Sequence, residues 1–403
     1  MREKSLLPMH LYNVGVKLAT EGKLAEAVGV FRRSVELDSR LASSWYEPDT
    51  DLKEGVDWAQ AAAVCRQVVD GNPDSAVAWA DLGFALATQN KVEEAAVAFQ
   101  KASELNPKMA EVWMELATVN CLAERWEQAE AAARRAVDLG STNVLAWTYL
   151  GFALVGKGAW DQAEKALRKG VALDPLDKLI WANLAEVLNW QERWSDALEA
   201  ADRAIQLFQG NSKAWDSRGV ALAGLGRWPD AEAAHRRAVE LAPSEPSFSG
   251  NLAQVLNWQN KWQEALEICQ RIVDRGKPSP VVYSALGAAL GGMERWEEAE
   301  RAIRCAVDHS PRDAVQWVNL SCTLNWQSKW EDAETAGRRA TVLAPELAAG
   351  WANLGYSLEH LNHLEEAQKA FDRAMQLDRG NATARQGLER TRQRMANRSK
   401  PGA

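Results

Sequence analysis

Between Lys178 and Asn211 apolar residues recur at three- and four-residue steps in two runs, Trp181-Leu184-Ala185-Leu188 and Trp194-Ala197-Leu198-Ala201-Ala204. That spacing predicts an apolar stripe on each of two helices. The intervening Gln191-Glu192-Arg193 leaves room only for an antiparallel hairpin. A hairpin of 34 residues cannot bury both stripes alone, so the pattern predicts stacking on copies of itself. The copies are present. Alanine recurs without a slip at Ala27, Ala61, Ala95, Ala129, Ala163, Ala197, Ala231, Ala265, Ala299, Ala333 and Ala367. A small residue is expected where the two helices of a hairpin touch. All 19 tryptophans fall on three registers of the same period. One opens the first helix (Trp79, Trp113, Trp147, Trp181), a second opens the second helix (Trp126, Trp160, Trp194, Trp228), and Trp190, Trp258 and Trp326 return every 68 residues.

The run Trp79, Leu82, Gly83, Ala95, Phe99, Pro107, with Trp147, Leu150, Gly151, Ala163, Pro175, resembles the tetratricopeptide repeat pattern W-x2-L-G-x2-Y, A-x3-F, P. The resemblance covers nearly the whole chain. It implies an all-α fold, an α-solenoid of about eleven tandem 34-residue helix hairpins forming a right-handed superhelix with a C-terminal capping helix. On this reading residues 1–7 are an N-terminal extension. Residues 8–381 form the array, with repeats starting at 8, 42, 76, 110, 144, 178, 212, 246, 280, 314 and 348, and residues 382–403 are a capping helix and tail. The resemblance further implies that first helices line the concave surface.

Two repeats depart from the pattern. In repeat two, Pro48 and Asp49 stand where others have Leu-Gly, which predicts a bent or unwound acidic segment, either a decayed repeat or a hinge. In repeat eight, Ser249-Gly250 replaces the tryptophan and its neighbour, making it a candidate flexible point. The arginine-rich segment from Ala382 to Lys400 suits a polar cap, with a basic docking tail as the alternative.

Composition narrows the function classes. A net charge of −8 argues against nucleic acid. No apolar run reaches membrane-spanning length, and the start of the chain lacks the apolar core and cleavage site of a secretory leader. Five cysteines form no CxxC pair, and Cys65 and Cys269 share the register of Phe31, Phe99 and Phe371, so they are expected as buried thiols in a cytoplasmic protein.

Candidate binding residues lie on first helices, numbered from the start of each repeat. Position six carries Asn183, Asn251, Asn319 and Asn353. A primary amide offers donors and an acceptor to the backbone of an extended peptide, although Asn on a solvated helix face is also ordinary. The ladder partly resembles that in the tetratricopeptide superhelix of O-linked N-acetylglucosamine transferases, whose catalytic domain has no counterpart here. The motif LNWQ places Asn189, Asn257 and Asn325 beside Trp190, Trp258 and Trp326, while intervening repeats carry Gly156, Gly224 and Gly292 at the tryptophan register. Two readings stand: each indole packs against the bare backbone of a neighbouring repeat, or it forms an aromatic platform for apolar side chains or sugar rings. The fifth position holds no lysine, which argues against a carboxylate clamp.

No phosphate loop, nucleophile elbow or HExxH motif occurs. His360 and His363 are read as solvated rather than as metal ligands, and the pairs Glu93-Glu94, Glu297-Glu298 and Glu365-Glu366 as caps at helix starts. The expectation is therefore a protein without catalytic residues, metal or cofactor. It is read as a protein–protein interaction scaffold holding an extended peptide or partner protein in its groove. A carbohydrate-binding accessory protein and a self-assembling structural scaffold are the alternatives.

Overall fold

The computed structural model describes residues 11, 14–15, 17–19, 21–37, 57–140, 144–276 and 278–398. Every element among them is a helix. First helices run Ala76–Ala87, Ala110–Leu122, Val144–Gly156, Lys178–Trp190, Ser212–Gly224, Pro246–Trp258, Pro280–Gly292, Ala314–Trp326 and Ala348–His360. Second helices run Leu24–Leu37, Trp58–Gly71, Val92–Leu105, Trp126–Asp138, Trp160–Leu173, Trp194–Leu207, Trp228–Leu241, Trp262–Asp274, Trp296–His309, Trp330–Leu343 and Leu364–Leu377. A terminal helix, Ala382–Arg398, follows. The fold is an all-α array of helix hairpins. Its helices group into two compact units, Met1–Ala221 and Leu222–Ala403. The Pro48-Asp49 segment of repeat two lies outside the described residues.

Volume matching closes the hairpins. The recurring alanine is sealed from solvent in every described repeat, from Ala27 to Ala367. At the next contact, glycine in the first helix faces a large residue in the second. A Cβ on Gly83 would meet Phe99 at 2.8 Å, one on Gly151 would meet Leu167 at 2.5 Å, and one on Gly355 would meet Phe371 at 2.7 Å. Where the first helix carries Ala253 instead, its counterpart shrinks to the buried Cys269. The sum of volumes is held, as close-packed interiors require. Burial pushes the thiols of Cys65 and Cys269 up to about 12, in line with core packing.

Two further devices fix the chain path. The turn residue at the fifteenth position adopts a left-handed conformation in every repeat where it is described, as Gly22, Asn90, Glu124, Gly158, Glu192, Gly226, Asn260, Glu294, Ser328 and Asn362. This is the usual helix stop, in which orphan carbonyls are capped by the following amides. In six repeats the tryptophan at position four ties the repeat to the linker before it. Its indole N–H donates to a carbonyl six residues upstream: Trp79 to Pro73, Trp113 to Pro107, Trp181 to Pro175, Trp215 to Gln209, Trp317 to Pro311 and Trp351 to Pro345, all at 2.8–3.0 Å.

Repeat eight forms a regular first helix despite its missing tryptophan. Gly250 is buried where the next first helix comes close, and a Cβ there would stand 2.6 Å from Val281. The glycine marks a tight approach between neighbours rather than a gap in the pattern. The terminal helix docks on repeat eleven through the fully buried Ala384 and through Arg390 and Arg394, which both reach Glu359.

Candidate functional site

The LNWQ motif is a coupling device that works in both directions along the chain. Its asparagine reaches forward. Nδ2 of Asn189 donates to the carbonyl of Ser217, that of Asn257 to Ala285 and that of Asn325 to Asn353, at 2.8, 2.8 and 3.1 Å. Each acceptor is position six of the following repeat. All three asparagines are buried, so their amide nitrogens hold neighbouring first helices together rather than facing outward. In repeat four Cys121 replaces the asparagine, and its thiol takes the matching carbonyl, that of Tyr149, at 3.8 Å.

The glutamine reaches back. Gln259 donates to Glu232 at 2.7 Å and Gln327 to Glu300 at 2.8 Å. Each of these carboxylates also receives an arginine from its own helix and a lysine from the following repeat: Arg236 and Lys261 for Glu232, Arg304 and Lys329 for Glu300. Burial alone would raise a carboxyl pKa there. Hydrogen bonds from Lys261, Arg236 and Gln259, with the charge of Lys261, override it and bring Glu232 down to about 2. Glu300 is brought to about 2 by the equivalent partners. Glu164 is lowered in the same way by Arg168 and Arg193, and Gln191 itself donates to Asp161 at 3.0 Å. Sequence reading missed these glutamates. Their signal was a Glu-x3-Arg pair whose partner, Gln-x-Lys or Gln-x-Arg, lies 27 residues downstream.

The tryptophan of the motif stacks backward, and not on glycine as one expectation had it. Trp190 lies on Trp160 with centroids 5.2 Å apart and planes at 12°, and Trp326 on Trp296 at 5.3 Å and 7°. Trp258 meets Trp228 at 5.0 Å and 51°. The glycines of the alternate repeats face a different indole. A Cβ on Gly156 would stand 2.3 Å from Trp126, and one on Gly292 would stand 2.6 Å from Trp262. Both arrangements use the tryptophan that opens the preceding second helix. Trp190, Trp258 and Trp326 keep one face free and are 62%, 51% and 67% exposed. Every other described tryptophan is buried or half-buried.

The position-six asparagines are half-buried, each with part of its amide already engaged. Asn183 Oδ1 accepts from Lys213 at 2.9 Å. Asn319 Nδ2 donates to Ser284 at 3.2 Å, and Asn353 Nδ2 to the carbonyl of Val318 at 3.1 Å. Asn251 shares the register and is engaged as well. The remaining amide atoms of Asn183, Asn319 and Asn353 hold no partner among the described residues. Asn325, Trp326 and Asn353 come together in one cavity of about 470 Å³, completed by Cys322, by Tyr356 and by Thr383, Gln386 and Arg390 of the terminal helix.

The remaining sequence candidates have structural partners. His360 stacks on Trp330 at 4.0 Å and 8°, so it serves as the counterpart of the LNWQ indole in repeat eleven. Among the described residues no three or more His, Cys, Asp or Glu side chains group in a way that could hold a metal ion. The acids in the first turn of second helices join neighbouring repeats, Glu94 pairing with Arg66, and Glu366 with Arg338 at 2.6 Å, while neither helix start has a side-chain cap hydrogen bond. No described helix is long and apolar enough to cross a membrane.

Comparison with known proteins agrees with this geometry. Family models described as tetratricopeptide repeat match residues 52–114, 85–144, 150–212, 217–280 and 348–381, together more than half of the chain. Among solved structures, yeast Tom70 aligns over 99% of this chain and 98% of its own, at 14% identity and a TM-score of 0.50. The Cut9–Hcn1 hetero-tetramer of the APC/C aligns over 91% of this chain and 63% of the compared chain, at 13% identity and a TM-score of 0.50. YrrB, described as a repeat protein with an unusual peptide-binding site, aligns over 46% of this chain and 95% of its own, at 21% identity and a TM-score of 0.38. None of the curated proteins compared matches.

Proposed function

The chain belongs to the tetratricopeptide repeat family, and from that premise we propose that it is a non-catalytic interaction scaffold whose first-helix face holds an extended peptide or partner protein. One observation carries the reading. Trp190, Trp258 and Trp326 are held rigidly from behind by a second indole or, at Trp258, by a tilted one, yet each leaves a broad apolar face uncovered. Covering one such face, about half of the 150–250 Å² an aromatic side chain can bury, is worth about 2–3 kcal/mol before the ordering of the partner is counted. Indoles of this kind are the usual centres of binding energy at interfaces. The unengaged amide atoms of Asn183, Asn319 and Asn353 supply groups that a peptide backbone can use without its side chains being read.

A sugar ligand is supported less well. The amide nitrogens of Asn189, Asn257 and Asn325, and those of Gln191, Gln259 and Gln327, are all engaged by the chain itself, so the polar side chains of the motif have no donor to offer a ring of hydroxyls. The test compares the native protein with the Trp190→Ala, Trp258→Ala, Trp326→Ala triple variant in affinity capture from native cell extract. Loss of captured protein with unchanged helix content is the expected outcome. Undiminished capture would refute the reading. Indole quenching by oligosaccharides, with no protein captured, would move the assignment to carbohydrate.

A further inference from the structure

The cavity at the C-terminal end differs from the rest of the first-helix surface in having a wall supplied by the terminal helix. Its volume, about 470 Å³, falls within the roughly 300–1,000 Å³ of small-ligand clefts. Two aromatic groups line it, the free face of Trp326 and the ring of Tyr356. Each is held from outside the cavity, Trp326 by Trp296, and Tyr356 by His360 at 4.7 Å. Besides Arg390, the other lining groups are the Cys322 thiol, Asn325 (its Nδ2 given to the Asn353 carbonyl), Asn353 with an unengaged Oδ1, and Thr383 and Gln386, both exposed and without a partner among the described residues.

Charge decides what such a pocket accepts. No carboxylate lines the cavity, whereas Arg390 does. Behind it Glu359, with only 4% of its side chain exposed, is shared by Arg390 at 2.9 Å and Arg394 at 3.8 Å. One carboxylate thus faces two guanidinium groups, leaving a net positive wall. Arg390 lies 5.8 Å from the Tyr356 ring with 44% of its side chain exposed. Its Nε and Nη2 already donate to Glu359 as a fork, at 3.2 and 2.9 Å, which fixes the guanidinium plane and leaves Nη1 to receive a further carboxylate.

We infer that this cavity receives an acidic–aromatic segment of an extended peptide. The aromatic side chain lies on Trp326, a neighbouring Asp or Glu meets Arg390, and the peptide backbone meets Asn353. The inference rests on the scaffold reading and gives that surface a sequence preference at one end. It also assigns a recognition role to the terminal helix beyond capping.

The test is titration calorimetry on the full chain with three blocked octapeptides of Gly and Ser, centred on Glu-Phe, Lys-Phe or Glu-Ala, and with maltohexaose. The Glu-Phe peptide is expected to bind about tenfold more tightly than either other peptide. Trp326→Ala should abolish the preference for Phe over Ala. Arg390→Gln should abolish that for Glu over Lys, but it also strips Glu359 of a partner. The exposed Gln386 therefore provides the cleaner pair: Gln386→Glu should weaken the Glu-Phe peptide about tenfold, and Gln386→Lys should not. Equal affinity for the Glu-Phe and Lys-Phe peptides, indifference to Gln386→Glu, no peptide binding, or binding of maltohexaose alone would each overturn the inference. If the pocket fails while the indole triple variant still loses its captured protein, the scaffold reading survives and only this assignment falls.

Discussion

Two successive junctions in the first unit solve one packing problem differently. Between repeats four and five, Trp126 lies against Gly156 and takes the space where a side chain would stand. Between repeats five and six, Trp160 meets the indole of Trp190 in a near-parallel stack. The backbone devices on either side are shared, including the left-handed turns at Gly158 and Glu192. Glycine therefore satisfies this register as far as stacking the repeats is concerned. A tryptophan 62% exposed at the same register adds an apolar surface that the fold does not need. That contrast is the physical ground for assigning Trp190, Trp258 and Trp326 to a partner.

The contrast can be broken most severely by exchanging the two solutions. Gly156→Trp forces an indole into space that Trp126 fills, and should destabilise the chain by roughly 3 kcal/mol. The reverse change, Trp190→Gly, loses one stack and one helix former and should cost only about 1–2 kcal/mol. Urea unfolding of both variants measures the asymmetry, and equal losses would mean that the two junctions are not distinct in packing. Asn257→Ala removes the bond to the Ala285 carbonyl and should cost about 1 kcal/mol in the same assay. Glu192→Gly relieves a left-handed conformation at a tryptophan-bearing repeat, where Gly158 already serves a glycine-bearing one, and should stabilise by about 1 kcal/mol. A separate effect concerns acid. Glu232 and Glu300 titrate at about 2 in the folded chain against an ordinary 4.5, so their clips stabilise it above that value and are lost as pH falls from about 4.5 to about 2. The urea midpoint of the native chain should drop over that window, and the Glu232→Gln, Glu300→Gln double variant should show a shallower drop.

Much of this fold was legible because its rules act at single positions. An unbroken alanine register reports a helix contact with no room for variation, and all of those alanines described are sealed from solvent. The left-handed turn was harder to see. Glycine and asparagine announce it at Gly22, Asn90 and Asn260, but Glu124, Glu192 and Glu294 adopt it against their own preference. The candidate site was only half legible. Periodicity identified Asn189 and Trp190 as a recurring pair but could not separate their roles, because adjacent helical residues point about 100° apart. One turns inward to a backbone carbonyl and its neighbour turns out to solvent. The contribution of the terminal helix was hidden for another reason. Arg390 belongs to no repeat register, and its relation to Trp326 exists only after the helix docks.

The backward clip of Gln and Lys onto a preceding glutamate has a consequence for how the chain tolerates changes of length. Excising residues 246–313 would bring Gln327 and Lys329 opposite Glu232, the same groups they meet on Glu300, and would set Trp326 against Trp228 in place of Trp296. Each of these severed contacts has a ready equivalent across the new seam. Cutting out a single repeat breaks the alternation instead, so this polymer should shorten or lengthen gracefully only in double steps.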